Sequence, residues 1–179
     1  MRLDKYLAQS SIGTRKKVHK IIKEGQVTIN GVMTLDATLQ IDEKQDVITC
    51  RGEQVLFMGS VCYMFNKPKG CISARKGDST PTVLSYFNGI ETEGLFIVGR
   101  LDKDTEGLLL LTNDGALDSK LMNPDNHIEK TYFFWAIGQI SQREQDRLEK
   151  SMMIDGNGRK ARRCKPAGLK LLKQGMYSE

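Results

Sequence analysis

Apolar residues in the first twenty-five positions recur every three or four residues, which is the spacing of a helix with one buried face. This spacing predicts a first helix over Leu3–Gln9. A second helix is indicated between Thr14, a suitable N-cap, and Gly25, a residue type that commonly follows a helix end. The apolar stripe of this second helix consists of Val18, Ile21 and Ile22.

Strand patterns follow the two helices. Residues 27–29 alternate in polarity, Asn30-Gly31 is a strong hairpin turn, and residues 47–49 form a further candidate strand. Two helices and a hairpin predict a small, helix-rich domain. The apolar pattern restarts at Val61, so we interpret residues 52–60 as a linker and place the two domains at 1–58 and 59–179.

The second domain is predicted to mix strands and helices. Residues 61–65, 95–98 and 108–111 are short apolar runs typical of strands, the last two short enough to be buried on both faces. Leu117 and Leu121 indicate a short helix that ends near Pro124.

Two further elements are predicted downstream. Residues 130–137 are rich in aromatic and β-branched side chains, which favours a strand. Ser141 and Glu144 have the spacing of a capping box, which predicts a helix through about residue 150. The predicted fold class is α+β.

Positive charge is concentrated at the start of the chain. The formal net charge is +5, yet residues 1–23 alone contain seven basic residues and one acidic residue, a net charge of +6. Lys16, Lys20 and Lys23 gather on the helix face opposite the apolar stripe. Such a face predicts contact with the phosphates of a polyanion, weakened by salt, although an ordinary solvated lysine face is the alternative.

Other classes of protein are disfavoured by composition. The four cysteines contain no Cys-x-x-Cys pair and the chain has two histidines, so we expect no metal site. No apolar run approaches the ~20 residues needed to span a bilayer, and no apolar leader follows the N-terminus. We therefore expect a cytoplasmic protein with reduced thiols, no membrane partner and, by default, a monomeric state.

One segment carries candidate chemistry. Residues 99–115 read Gly-Arg-Leu-Asp-Lys-Asp-Thr-Glu-Gly-Leu-Leu-Leu-Leu-Thr-Asn-Asp-Gly. Arg100 and Asp102 thus lie two positions apart on a short loop between two apolar strands, bracketed by Gly99 and Gly107. A surface Arg–Asp pair in a tight turn is the structural alternative.

This run resembles the catalytic motif of the pseudouridine synthases that modify ribosomal RNA and carry a small N-terminal RNA-binding domain. The resemblance implies that Asp102 is the catalytic aspartate, acting as nucleophile or base while uracil is detached, turned and rejoined through a ring carbon. A carboxylate suits a sugar centre with oxocarbenium character. The resemblance also implies that Arg100 pairs with Asp102. A nearby cation favours the ionised carboxylate that the reaction needs. No cofactor is implied, since both bonds belong to one nucleoside.

Three further segments extend the resemblance. Arg2-Leu3-Asp4-Lys5-Tyr6-Leu7, Thr14-Arg15 and residues 25–31 resemble the RNA-binding domain first described in the fourth protein of the small ribosomal subunit. Asn66-Lys67-Pro68-Lys69-Gly70 is similar to the element that opens the catalytic domain, which implies a mixed, mainly antiparallel sheet. Lys130-Thr131-Tyr132 resembles the strand whose tyrosine packs against the target uracil. Tyr132 is then a third site residue, with a packed core aromatic as the alternative.

The expected partner is ribosomal RNA or an assembling ribosomal subunit. The residues predicted to contact RNA are all basic: Arg2, Lys5, Arg15, Lys16, Lys20, Lys23, Lys67, Lys69, Lys103, Lys130, Arg162 and Arg163. The last two belong to a basic cluster over residues 159–173, for which an RNA path and a solvated tail are equal alternatives.

The resemblance implies a uridine-to-pseudouridine isomerase, and the spacing through residues 73–76 and 82–84 is nearer to the small-subunit (16S) enzymes. The family's last motif has no copy before Glu179, so we expect a C-terminally incomplete catalytic domain, either a fragment or a shortened relative. The alternatives are a large-subunit synthase, a non-catalytic RNA-binding or ribosome-associated protein, and a glycosidase-like hydrolase, which lacks an obvious second carboxylate.

Overall fold

The first of two compact units in the computed structural model, Met1–Ile128, opens with two short helices. The structure describes residues 1–57, 59–156 and 159–179. Helix α1 spans Leu3–Gln9 and helix α2 spans Arg15–Lys23, as predicted. The Thr14 hydroxyl caps α2 by accepting a hydrogen bond from the backbone N–H of Lys17.

A four-stranded antiparallel sheet packs against these helices. Its strands are β1 (Val27–Ile29), β2 (Val32–Met33), β3 (Ile48–Cys50) and β4 (Glu53–Gln54), in the order β2-β1-β3-β4. Asn30 and Gly31 both have positive φ, 51° and 80°, which matches the right-handed twist of the predicted hairpin. Because β4 pairs with β3, part of the predicted linker belongs to this sheet.

The core of this part is formed by α1, α2 and the sheet. Leu3, Leu7, Val18 and Ile22 are fully buried in it. Downstream of β4, the backbone carbonyl of Val55 accepts a hydrogen bond of 2.9 Å from the Tyr6 hydroxyl, and Phe57 stacks on the Tyr6 ring. We call residues 1–57 the N-terminal module. The domain boundary after residue 58 stays a prediction, because the module and the next sheet fall in one compact unit.

The rest of the first unit is built on a second antiparallel sheet. Strands β5 (Cys62–Lys67), β6 (Phe96–Val98) and β7 (Gly107–Thr112) have the order β5-β7-β6. Helix α3 (Gly115–Met122) follows β7, and the Asp114 side chain caps it by accepting hydrogen bonds from two backbone N–H groups.

Only one face of this sheet is well buried, so the prediction of strands buried on both faces is wrong. Leu109 and Leu111 pack into the core, whereas Leu108 is 65% exposed and Met64, on the neighbouring strand, is 80% exposed. A run of four leucines suggested uniform burial, but strand alternation places successive side chains on opposite faces. Antiparallel sheets commonly leave one face open.

In the described residues of the second unit, Glu129–Glu179, a helix is accompanied by short strands. The elements are β8 (Ala136–Ile137), α4 (Gln142–Lys150), β9 (Met153–Gly156), β10 (Arg159–Arg163) and β11 (Tyr177–Ser178). Strand β9 pairs with β10, and β8 pairs with β11, both antiparallel. The predicted capping box is confirmed, since Ser141 and Glu144 exchange hydrogen bonds at the start of α4.

The predicted strand over residues 130–137 is mostly wrong. Of these residues only Ala136 and Ile137 form a strand, which pairs with Tyr177 and Ser178 of β11. Strand propensity is expressed only where a neighbouring strand supplies backbone partners. The preceding aromatic residues are all exposed: Tyr132, Phe133, Phe134 and Trp135.

The α+β prediction is confirmed, with helices and antiparallel sheets in both units. Within the described ranges, no helix has the length and apolar content needed to cross a bilayer.

Candidate functional site

The candidate catalytic residues lie on the loop that joins the adjacent strands β6 and β7. Gly99 and Gly107 bracket this loop with φ of 76° and 119°, a backbone conformation that other residues rarely adopt. The Thr105 N–H donates a hydrogen bond of 3.1 Å to the backbone carbonyl of Asp102, which forms a turn at its centre. The side chains of Arg100 and Asp102 are exposed, and their pairing stays a prediction.

A buried lysine side chain holds the backbone of the loop. Lys67 is fully buried at the end of β5, and its Nζ donates hydrogen bonds to the backbone carbonyls of Pro68, Lys103 and Thr105 at 3.0, 3.2 and 2.8 Å. An ammonium group has three protons, and all three find acceptors, which offsets the cost of burying the charge. The prediction that Lys67 contacts RNA is therefore wrong, because its ammonium group is buried and donates its hydrogen bonds to backbone carbonyls.

Further hydrogen bonds fix the backbone on either side of Asp102. The buried Ser73 hydroxyl accepts from the Leu101 N–H at 3.1 Å and donates to the Leu101 carbonyl at 2.8 Å. The Gly70 N–H donates to the Lys103 carbonyl at 2.9 Å. The carboxylate of Asp102 thus projects to solvent from a backbone that the 67–73 segment holds in place.

An open cleft of about 320 Å³ lies beside the loop. Its lining includes Thr14 from the N-terminal module, Arg75, and Gly99 with Arg100 from the loop. The side chain of Arg75 is directed by the backbone carbonyls of Leu95 and Thr92, which accept its hydrogen bonds. Arg100 lines the cleft, and Asp102 lies two residues further along the same loop.

The predicted basic face of α2 is present. Lys16, Lys20 and Lys23 are exposed there, while Val18, Ile21 and Ile22 are buried on the other side, and Arg15 is exposed in the first turn. Lys20 forms an exposed ion pair of 3.7 Å with Glu24. Exposed cationic side chains therefore lie together on one surface of the module.

The predicted RNA contact Arg2 is engaged in the module itself. Its guanidinium donates to both carboxylate oxygens of the buried Asp4, at 3.1 and 2.8 Å, and His19 Nε2 lies 2.9 Å from the same carboxylate. Burial is the largest single influence on Asp4 and favours its neutral form. The hydrogen bonds from Arg2 and His19, together with the positive charges of Arg2 and Arg15, outweigh burial and hold the pKa of Asp4 below its usual value.

The remaining predicted residues are divided between the two units. Lys103 is exposed on the loop, and Lys69 is exposed and forms an ion pair of 3.8 Å with Glu106. Lys5 is half-buried on α1. Lys130, Tyr132 and Arg163 belong to the second unit and are exposed. Arg163 Nε donates to the Ser151 hydroxyl at 2.9 Å. The side chain of Arg162 lies outside the described part of the molecule.

Two residues of the site were not identified as such from the sequence: Ser73 and Arg75. Each acts through partners 17 or more residues away, Ser73 at Leu101 and Arg75 at Thr92 and Leu95. No local pattern marks such pairings before the fold is known.

Two parts of the chain match models of known families. Residues 61–175 match the family model described as RNA pseudouridylate synthase, and residues 1–47 match the S4 domain. The chain belongs to the RNA pseudouridylate synthase family. The prediction of an isomerase is thereby confirmed at the level of the family, and the prediction of an RNA-binding N-terminal domain is confirmed as an S4 domain.

Several curated relatives of this synthase family are similar over most of the chain. An uncharacterized RNA pseudouridine synthase, YtzG of Bacillus subtilis (strain 168), is 41% identical over 87% of the chain and 66% of its own length. The ribosomal small subunit pseudouridine synthase A of Pasteurella multocida (strain Pm70) is 32% identical over 96% of the chain and 73% of its own length. The ribosomal large subunit pseudouridine synthase B of Bacillus subtilis (strain 168) is 35% identical over 96% and 68%.

A solved structure supports the same family. A crystal structure of a pseudouridylate synthase superimposes with a TM-score of 0.54 at 30% sequence identity, covering 99% of this chain and 74% of that one. The chain thus spans about two thirds to three quarters of the length of these relatives.

Proposed function

We propose that this protein isomerises a uridine of ribosomal RNA to pseudouridine. The observation that carries the proposal is the position of Asp102 on a loop whose backbone is clamped by Lys67 and Ser73, inside the region that matches the synthase family. Positioned backbone reduces the entropy lost when the carboxylate meets a substrate. Because the carboxylate of Asp102 is exposed and the backbone of its loop is held in place, it can reach a nucleotide substrate.

In this proposal Asp102 acts on the nucleoside as nucleophile or base. The glycosidic bond to the uracil nitrogen breaks, the uracil turns, and a bond from the sugar carbon to a ring carbon forms. That ring carbon loses its proton, and the released nitrogen gains one. The nucleoside keeps its atoms apart from this proton exchange, so the reaction needs no metal, redox group or organic cofactor. Arg100 pairs with the carboxylate of Asp102 when the substrate is bound. Tyr132 stacks on the extruded base.

RNA is held through its phosphates by the S4 domain. The exposed cations of α2 neutralise phosphate charge without reading base identity. Extruding a base from its stack costs a few kcal/mol, which contacts to the flanking backbone offset. In this proposal Lys103, exposed on the catalytic loop, and Lys69, exposed in the turn after β5, contribute such contacts.

The substrate we favour is small-subunit ribosomal RNA, free or in an assembling particle. The spacing through residues 73–76 and 82–84 supports this choice, and one of the relatives is named as a small-subunit enzyme. Another relative is named as a large-subunit enzyme, so large-subunit RNA is the second candidate. Such a substrate places the protein in the cytoplasm, where we expect it to act as a monomer.

Mapping pseudouridine in ribosomal RNA from cells with and without the gene tests the proposal. We expect the deletion to remove pseudouridine at one or a few positions, which also shows whether they lie in the small or the large subunit. Complementation with the unaltered gene restores the modification. A deletion strain with an unchanged pseudouridine map would favour a non-catalytic RNA-binding protein that retains the fold.

A further inference from the structure

Glu93 links the N-terminal module to the cleft beside the catalytic loop. One oxygen of its carboxylate lies 3.0 Å from Lys17 Nζ on α2, and the other lies 3.5 Å from Nη2 of Arg75. Lys17 belongs to the basic helix, and Arg75 lines the cleft together with Gly99 and Arg100. A single acidic group therefore sits between a cation of the RNA-binding module and a cation next to the candidate catalytic residues.

Arg75 is held in place independently of Glu93. Its Nη1 donates to the backbone carbonyl of Leu95, and its Nη2 donates to the carbonyl of Thr92 at 3.2 Å. Two backbone acceptors orient the planar guanidinium, so its position does not depend on the carboxylate. When Glu93 moves away, a positioned positive charge remains at the edge of the cleft.

The bridge itself is weak and accessible. The side chains of Lys17, Arg75 and Glu93 are 52%, 36% and 36% exposed. Ion pairs exposed to this degree contribute little and are screened by salt. An anion that carries several charges and reaches both cations therefore displaces the carboxylate readily.

We propose that Lys17 and Arg75 form a binding site for the phosphodiester backbone of RNA, and that Glu93 occupies this site in the free protein. The inference rests on the proposed function, because it takes RNA as the ligand. A phosphodiester has the same single charge as a carboxylate and two free oxygens, so it replaces Glu93 between the same cations. A strand bound to α2 is then led past Arg75 towards Arg100.

Two substitutions at one position separate this site from a general effect of charge. Glu93→Gln removes the negative charge, whereas Glu93→Asp keeps the charge on a side chain one methylene shorter, too short to reach both cations as Glu93 does. Glu53→Gln is the matched control, because Glu53 is an exposed carboxylate on β4. The full chain of each variant is titrated with a labelled oligouridylate, and thermal melting followed by circular dichroism checks that each is folded.

We expect Glu93→Gln and Glu93→Asp each to bind oligouridylate about threefold more tightly or better than the unaltered chain, since an exposed ion pair no longer competes. Glu53→Gln is expected to bind within about twofold of the unaltered chain. Equal affinity of Glu93→Asp and the unaltered chain, or a gain in Glu93→Gln no larger than in Glu53→Gln, would overturn the inference.

The same titrations distinguish this inference from the proposed function. If the unaltered chain binds RNA and neither Glu93 substitution changes the affinity, the inference is overturned and the proposed function stands. Absence of RNA binding in every folded variant overturns both.

Discussion

Lys67 and Thr105 are joined by a hydrogen bond of 2.8 Å from a fully buried ammonium group to a backbone carbonyl three residues beyond Asp102. The same ammonium group also binds the carbonyl of Lys103, so one side chain secures the loop immediately after the candidate catalytic aspartate. The backbone of the loop is therefore held by a charged group that is fully buried.

Replacing this lysine by methionine is predicted to destabilise the protein and to impair catalysis. Lys67→Met removes three hydrogen bonds to backbone carbonyls, of which the Lys103 carbonyl keeps its bond from the Gly70 N–H. We expect a loss of about 2–4 kcal/mol in the free energy of unfolding. Displacement of the loop is expected to lower kcat by about tenfold or more. Urea unfolding and a pseudouridine-formation assay measure the two effects.

Lys69→Met is the matched control, because Lys69 lies two residues away and is exposed. We expect its unfolding free energy to stay within about 0.5 kcal/mol of the unaltered chain. Equal stability of Lys67→Met and Lys69→Met would show that the clamp has no energetic role.

Close packing at Gly94 predicts a second stability difference. Gly94 has a φ of +82°, and a Cβ at this position would lie 2.6 Å from the backbone carbonyl oxygen of Ala8. Gly94→Ala thus combines backbone strain with a clash against backbone that cannot rotate away. Gly89→Ala is the control, since Gly89 has a φ of +74° and no atom within 4 Å of the added Cβ.

We expect Gly89→Ala to cost about 1 kcal/mol from the positive φ alone, and Gly94→Ala to cost at least about 1 kcal/mol more. Chemical denaturation of both variants measures the difference. A Gly94→Ala protein no less stable than Gly89→Ala would indicate that the 94 loop does not pack on α1.

The Arg2–Asp4–His19 cluster predicts how stability changes with pH. The pKa of Asp4 is lower in the folded chain than its usual value, so its ionised form stabilises the fold above the unfolded pKa. This contribution is lost as pH falls through the folded pKa, that is, below about pH 4. Urea unfolding measured from neutral to acidic pH follows the loss.

In Asp4→Asn the acid-dependent loss is expected to be smaller, with lower stability than the unaltered chain at neutral pH. The comparison must be made at equal salt, because the Arg2 side chain is half exposed and its attraction to Asp4 is screened. Identical pH profiles for the two proteins would contradict the assigned role of Asp4.

The basic face of α2 predicts a salt-dependent affinity for RNA. Lys16→Gln and Lys20→Gln each remove one exposed cation, and we expect the slope of log affinity against log salt to fall by about 0.7–0.9 for each phosphate that is no longer neutralised. Lys44→Gln, an exposed cation outside α2, serves as the control and is expected to leave the slope unchanged. Unchanged slopes in the α2 variants would mean that RNA binds elsewhere.

Elements with local signals were predictable from the sequence. Thr14 marks the start of α2, Ser141 with Glu144 marks the start of α4, and Asn30-Gly31 marks a hairpin, and each of these features is found where expected. In all three the stabilising hydrogen bonds or the required φ values lie within a few residues of the signal. Local interactions were therefore sufficient to predict these three features.

Features that depend on distant partners were not predictable in the same way. Lys67 lies in a turn motif that is usually exposed, and its burial follows from carbonyls 36 and 38 residues further along the chain. The aromatic segment before Ala136 has high strand propensity, yet only Ala136 and Ile137 pair with β11. The roles of Asp102, Arg100 and Tyr132 stay predictions that depend on the family resemblance.

The most direct test of the central claim is pseudouridine formation by the purified chain on ribosomal RNA transcripts. Asp102→Asn removes the carboxylate, and Asp104→Asn, an exposed aspartate on the same loop, is the matched control. We predict that the unaltered chain and Asp104→Asn form pseudouridine, while Asp102→Asn forms none and binds the RNA with unchanged affinity. Pseudouridine formation by Asp102→Asn at the rate of the unaltered chain would contradict the account.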